Sequence, residues 1–137
     1  MDEGRAMRHA GSCLCGAVRF EVEGDFERFY LCHCTHCRKD TGSAHAANLF
    51  STTARLHWLA GQAQAVLFRL PGTRHARCFC AVCGSALPHA TGRLLVVPAG
   101  ALDGAFDAVP DAHLFVASKA AWEHDLERLP VFDAFPS

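Results

Sequence analysis

Leu31-Cys32-His33-Cys34-Thr35-His36-Cys37-Arg38 is the densest concentration of metal-ligating side chains in the chain: three cysteines within six residues, spaced C-x-C-x-x-C. On an extended strand, residues i and i+2 face the same way, so Cys32 and Cys34 aim their sulfurs at one point. A turn into helix after Thr35 brings Cys37 back to that point from the other side. Three thiolates can hold a zinc ion at about 2.3 Å each and leave a fourth position free. Closed structural sites use four protein ligands. Catalytic ones commonly use three and keep a place for water or substrate. The stretch therefore reads as a reactive metal centre set between a strand and a short helix.

Two further cysteine pairs lie on either side of it. Gly11-Ser12-Cys13-Leu14-Cys15-Gly16 again places two cysteines at i and i+2, followed by a glycine free to turn. Arg77-Cys78-Phe79-Cys80-Ala81-Val82-Cys83-Gly84 ends in C-x-x-C-G, the form of a zinc knuckle. Each pair is half a tetrahedron. Together, Cys13, Cys15, Cys80 and Cys83 make a closed four-cysteine site and leave Cys32, Cys34 and Cys37 intact as a triad. The competing arrangement closes the triad with Cys78 or a histidine. Cys78 itself fits a small buried hydrophobe, the common role of a free cysteine.

Composition limits the alternatives. The chain has 137 residues, half of them apolar and a fifth charged, which suits one globular domain with a real core. A net charge of −1 gives no electrostatic reason for a nucleic-acid or membrane partner. No apolar run approaches the roughly 20 residues of a membrane-spanning helix. Residues 1–10 carry no apolar stretch of the secretory kind and read as a mobile tail, with residues 11–137 as the single domain. Eight cysteines without such a leader point to the reducing cytoplasm, where clustered cysteines bind metal more often than they form disulfides. A redox pairing of Cys80 with Cys83 lacks the βαβ context of a thioredoxin-like motif. There is no Walker loop, dinucleotide fingerprint or nucleophile elbow.

The remaining pattern is that of a mainly β protein. Val18, Phe20 and Val22 alternate on one face of a strand that Gly24-Asp25 closes. Residues 28–31, 43–50, 56–59, 65–70, 94–97 and 113–117 read as further short strands. Gly42 is a natural stop for the helix after Cys37. The small residues Ala44, Ala46 and Ala47 suggest either tight packing or room for a ligand beside the metal loop. Ser118 is placed to cap a short helix through Trp122, and the proline-punctuated tail 129–136 is expected to lie over the core. His33 alternates with Cys32 and Cys34, so the strand aims it away from the metal. His36 is the better placed of the two, and for both an exposed or outer position is expected.

These motifs, in this order, together with Pro98-Ala99-Gly100-Ala101-Leu102-Asp103, His113-Leu114-Phe115-Val116 and Lys119-Ala120-Ala121-Trp122, resemble the glutathione-dependent formaldehyde-activating enzyme family. That family includes centromere protein V. The resemblance runs from about Gly11 to Pro136. It implies an Mss4-like fold of small antiparallel sheets with short helical turns. It implies two zinc ions per chain, a structural one at Cys13, Cys15, Cys80 and Cys83 and a catalytic one at Cys32, Cys34 and Cys37. It implies a carbon–sulfur lyase-type activity on a small-molecule thiol such as glutathione and an aldehyde such as formaldehyde, forming or cleaving an S-hydroxymethyl adduct. The competing expectation is a non-catalytic, zinc-stabilised binding module on the same fold. A chromatin role ranks last, because the chain has no basic run.

Overall fold

The computed structural model describes residues 7–136. Eleven short strands run in chain order: β1 (Arg8–Ser12), β2 (Arg19–Glu23), β3 (Arg28–Cys32), β4 (Ala46–Ser51), β5 (Arg55–Ala60), β6 (Ala65–Arg69), β7 (Ala76–Cys80), β8 (Ala86–Leu87), β9 (His89–Thr91), β10 (Leu94–Pro98) and β11 (Ala112–Leu114). One α-helix, α1 (Thr35–Thr41), interrupts them between β3 and β4. The strands form three small sheets, ordered β1-β2-β5, β11-β3-β4-β10-β9 and β6-β7-β8. All pairings are antiparallel except β11 with β3, where the returning chain lies parallel and sets Leu114 opposite Cys32. The expectation of a mainly β protein built from small sheets is met.

The alternation of β2 does what its sequence says. Val18, just ahead of the strand, and Phe20 and Val22 within it are fully buried, while Arg19 faces solvent. They join Leu49 of β4, Leu87 of β8, and Leu95 and Val97 of β10 in one core. Phe20 meets Trp58 of β5 edge-on, with ring centroids 6.2 Å apart. Gly11 of β1 passes so close over Phe20 that a Cβ there would lie 2.1 Å from its ring. Glycine at position 11 thus lets β1 lie on the core, and Cys13 follows two residues later. Cys13, Cys78 and Cys80 are themselves core residues. Cys78 sits in no cysteine cluster, burial raises its thiol pKa, and it behaves as the small hydrophobe expected.

Other expectations change. Within the expected tail, residues 1–6 lie outside the described residues, whereas Arg8–Ala10 belong to β1 and pair with Glu21–Glu23. Arg8 also bonds Glu21 at 2.6 Å. The strand expected at 113–117 ends at Leu114, because Phe115 takes a left-handed conformation with φ 57°. Ser118 does not begin a helix. It closes a 3-10 turn over Val116–Ser118, and the chain goes on irregularly past Trp122. The tail does not cover the core either: Val131 and Phe135 are 90% and 94% exposed. Its prolines deny it a ladder, and the inner faces of the sheets are already filled.

Candidate metal centres and the adjoining cavity

The two halves of the four-cysteine cluster are built the same way, by a strand end, a tight turn and a left-handed glycine. After β1, the Gly16 N–H donates to the Cys13 carbonyl, and the Val18 N–H donates to Cys13 Sγ at 3.2 Å. After β7, the Gly84 N–H donates to the Cys80 carbonyl, and the Val82 N–H points at Cys80 Sγ at 3.4 Å. Gly16 and Gly84 have φ of 80° and 78°, which a β-carbon would oppose. The Leu14 N–H donates to Ser85 Oγ and fastens one turn to the other. One ligand atom each from Cys13, Cys15, Cys80 and Cys83 lies within 4.8 Å of all the others.

The sulfur spacings test the fit to zinc. A tetrahedral ion with Zn–S bonds of about 2.3 Å needs sulfurs about 3.8 Å apart. Cys13 Sγ and Cys15 Sγ are 3.6 Å apart, and Cys15 Sγ and Cys80 Sγ 4.0 Å. The electrostatics agree. The Ser85 hydroxyl and N–H hold the Cys83 thiol down to about 5, and the crowded cluster leaves Cys15 raised to about 11. Part of the cluster is thus already thiolate at neutral pH, and the remaining protons are what a cation displaces.

The triad forms where β3 gives way to α1. Cys32 ends β3 opposite Ala46 of β4. Cys34, extended at φ −65° and ψ 158°, is the N-cap of α1, and its Sγ accepts the Cys37 N–H at 3.3 Å. Cys37 is the buried residue of the helix. Gly42 ends α1 in the left-handed conformation, as its position suggests. Ligand atoms of Cys32, Cys34 and Cys37 also lie within 4.8 Å of one another, with no fourth ligand in the group among the described residues. Burial raises the Cys37 thiol pKa and, less strongly, that of Cys32. For Cys34 burial acts upward too, but the Cys37 N–H and neighbouring donors outweigh it and leave the thiol lowered. Cys34 is thus the most acidic thiol of the triad.

A cavity of about 380 Å³ opens beside the triad. Cys37 forms part of its wall, with Ala46 and Ala47 of β4, Arg77 of β7, and the pair Asp40 and His75. Asp40 accepts a hydrogen bond from His75 Nε2. Of the two readings of the small residues after α1, room beside the metal loop is what Ala46 and Ala47 provide. A larger cavity, about 520 Å³, has no cysteine in its wall.

Of the two histidines flanking the triad, His36 is exposed, as expected, and His33 is not. His33 does turn away from the cysteines, but it is fully buried rather than exposed, against His45, His113 and Glu123. His36 packs beside His75, ring centroids 5.4 Å apart, and belongs to none of the candidate metal groups. His75 and Glu123 had no signal in the sequence, because they come from distant segments whose approach is set by strand order. Asp40, one turn after Cys37, and His45, just before β4, had positions that could have signalled the surroundings of the triad.

A mainly β protein with two cysteine clusters, one of four and one of three, carries donor sets of the kind that suit a zinc ion. The model of the glutathione-dependent formaldehyde-activating enzyme family matches residues 8–118, and the chain belongs to that family. A protein of Halomonas elongata, provisionally named a glutathione-dependent formaldehyde-activating enzyme, is 37% identical over 124 residues, covering 82% of this chain and 77% of its own. The crystal structure of a Rhodobacter sphaeroides protein superposes with a TM-score of 0.55 at 30% identity, over 74% of this chain and 97% of that one. No helix among the described residues is long and apolar enough to cross a membrane.

Proposed function

We propose that this chain is a zinc-dependent carbon–sulfur lyase-type enzyme that joins a glutathione-like thiol to a small aldehyde such as formaldehyde, or cleaves the S-hydroxymethyl adduct. One observation carries the proposal: three cysteines converge on a point without a fourth ligand among the described residues, and one of them, Cys37, lines a cavity of about 380 Å³. Cys13, Cys15, Cys80 and Cys83 hold the structural zinc and Cys32, Cys34 and Cys37 the catalytic one, two ions per chain. The family membership and the name of the Halomonas elongata relative support the choice of substrates.

Zinc bound by the triad supplies a cation that keeps a substrate thiol ionised at neutral pH. Three thiolates already outweigh the ion's charge, so positioning contributes more than Lewis acidity. The chain's own residues do the rest. The small residues Ala46 and Ala47 leave the thiol room beside Cys37. Arg77 offers a guanidinium to a substrate carboxylate. The Asp40–His75 pair stands in the same wall as a proton carrier. Adding the thiol across the aldehyde forms one carbon–sulfur bond, and the carbonyl oxygen takes the proton the thiol gave up, so no oxidant or reductant is involved. Free thiols and clustered cysteines both persist in a reducing cytoplasm, where we place the reaction.

The test is exchange spectroscopy on glutathione with ¹³C-formaldehyde. Adduct exchange is expected to accelerate with the protein and to return to the uncatalysed rate with Cys34→Ser. Equal exchange with and without the protein overturns the enzyme and leaves a zinc-stabilised binding module.

A further inference from the structure

We propose that His33, His45 and Glu123 form a third metal site, which takes a divalent first-row transition ion such as Zn²⁺ through two imidazoles and one carboxylate. The site is independent of the thiol chemistry above and stands or falls without it.

The observation behind it is a coincidence of two facts. Among the described residues, the buried side-chain nitrogen and oxygen atoms without a hydrogen bond are His33 Nδ1, His45 Nδ1 and Glu123 Oε1. The same three residues can place one ligand atom each within 4.8 Å of the others. Polar atoms shut away from water are almost always partnered, so three orphans converging on one place call for a shared partner. All three atoms can donate a lone pair to a cation: two ring nitrogens and a carboxylate oxygen, a set suited to zinc and its neighbours.

The surroundings prepare His33 for this. It is fully buried, and its Nε2 lies 2.8 Å from His113 Nδ1. When His33 donates that bond, its proton is fixed on Nε2 and its Nδ1 carries a lone pair. Such a backing bond orients a metal-bound histidine. That Nδ1 lies 2.9 Å from Glu123 Oε1. Ligand atoms on a tetrahedral ion with bonds of 2.0–2.1 Å are about 3.3 Å apart, the same scale. The C-terminal segment is anchored where it delivers Glu123: Arg38 of α1 donates to the Ser118 carbonyl at 2.8 Å, Ala120 is buried, and the Glu123 N–H closes a turn on Ala120.

A proton shared between His33 and Glu123 is the simplest rival. It satisfies two of the orphans and leaves His45 Nδ1 without a partner, whereas an ion accounts for all three.

The test is a metal titration of the full chain with both cysteine clusters loaded. Wild type is expected to take up one further equivalent of Zn²⁺, and with Co²⁺ that equivalent shows weak ligand-field bands without added thiolate charge transfer. Glu123→Gln, which keeps the shape, and His45→Ala should each weaken it about tenfold or more while the thiolate bands stay unchanged. Saturation of wild type at the thiolate-bound equivalents overturns the site, and that result needs no variant. So does retention of the further equivalent in both variants.

Discussion

Cys34 Sγ accepts the backbone N–H of Cys37 at 3.3 Å, so a single side chain both caps helix α1 and belongs to the triad. The two roles separate by mutation. Serine is a good N-cap and a poor soft-metal ligand. Cys34→Ser is therefore expected to lose the triad's metal, and with it the triad's three of the seven thiolate bonds behind the cobalt charge-transfer band, while stability changes by less than about 1 kcal/mol. Cys34→Ala loses the cap as well and falls about 1 kcal/mol below the serine variant. Equal melting temperatures for the two variants would show that the sulfur does not cap the helix.

The four-cysteine cluster has the opposite character, because it ties residue 13 to residues 80 and 83 through the core. Metal binding that joins distant segments is folding free energy. Cys83→Ser removes the most acidic thiol of that cluster, so the variant is expected to melt lower by several kcal/mol. For a domain of this size that is on the order of 10–20 °C. A melting temperature within a few degrees of wild type would assign the closed site no structural role.

The sites were legible in the sequence to the extent that they are local. Spacing alone found the strand-plus-helix form of the triad and the knuckles at Cys13–Cys15 and Cys80–Cys83, because i, i+2 alternation and a trailing glycine act within a few residues. The alternation of Val18, Phe20 and Val22 found the core face of β2 for the same reason. The parallel docking of β11 on β3 was not legible: a three-residue strand has no periodicity to read, and its partner lies some eighty positions away. The burial of His33 follows from that docking, since His113 and Glu123 arrive with and after β11. The end of that strand at Phe115 depends on a left-handed residue that no glycine announces.

Glu27 gives the fold a measurable acid dependence. Its carboxylate accepts from the Thr52 hydroxyl at 2.7 Å and from the Thr52 N–H at 3.0 Å, with Ser51 and Thr53 adding further bonds. These bonds hold its pKa below the ordinary 4.5. A carboxyl lowered in the folded state stabilises fully above its unfolded value, and that contribution disappears as pH falls from 4.5 through the folded value. Glu27→Gln is expected to melt below wild type at pH 7 and to converge with it in acid. A constant gap across that range would mean that shape, not charge, holds the turn.

Ala47 tests whether the cavity beside Cys37 is where the thiol goes. It lies on β4, opposite Leu31 in register, and forms part of the cavity wall. Leucine there adds bulk at the wall without replacing a residue of either cysteine cluster. Ala47→Leu is therefore expected to leave both thiolate-bound metals in place, with unchanged cobalt spectra in the absence of thiol. The shift of those spectra on adding glutathione should then need about tenfold more ligand or more, which corresponds to at least 1.4 kcal/mol of lost binding. The paired readout separates the ways the idea can fail. If the metal bands change before thiol is added, the substitution has reached the triad through β3, and the more conservative Ala47→Val decides. If the bands are intact and glutathione binds as in wild type, the thiol approaches the triad from another side and the cavity is not its site.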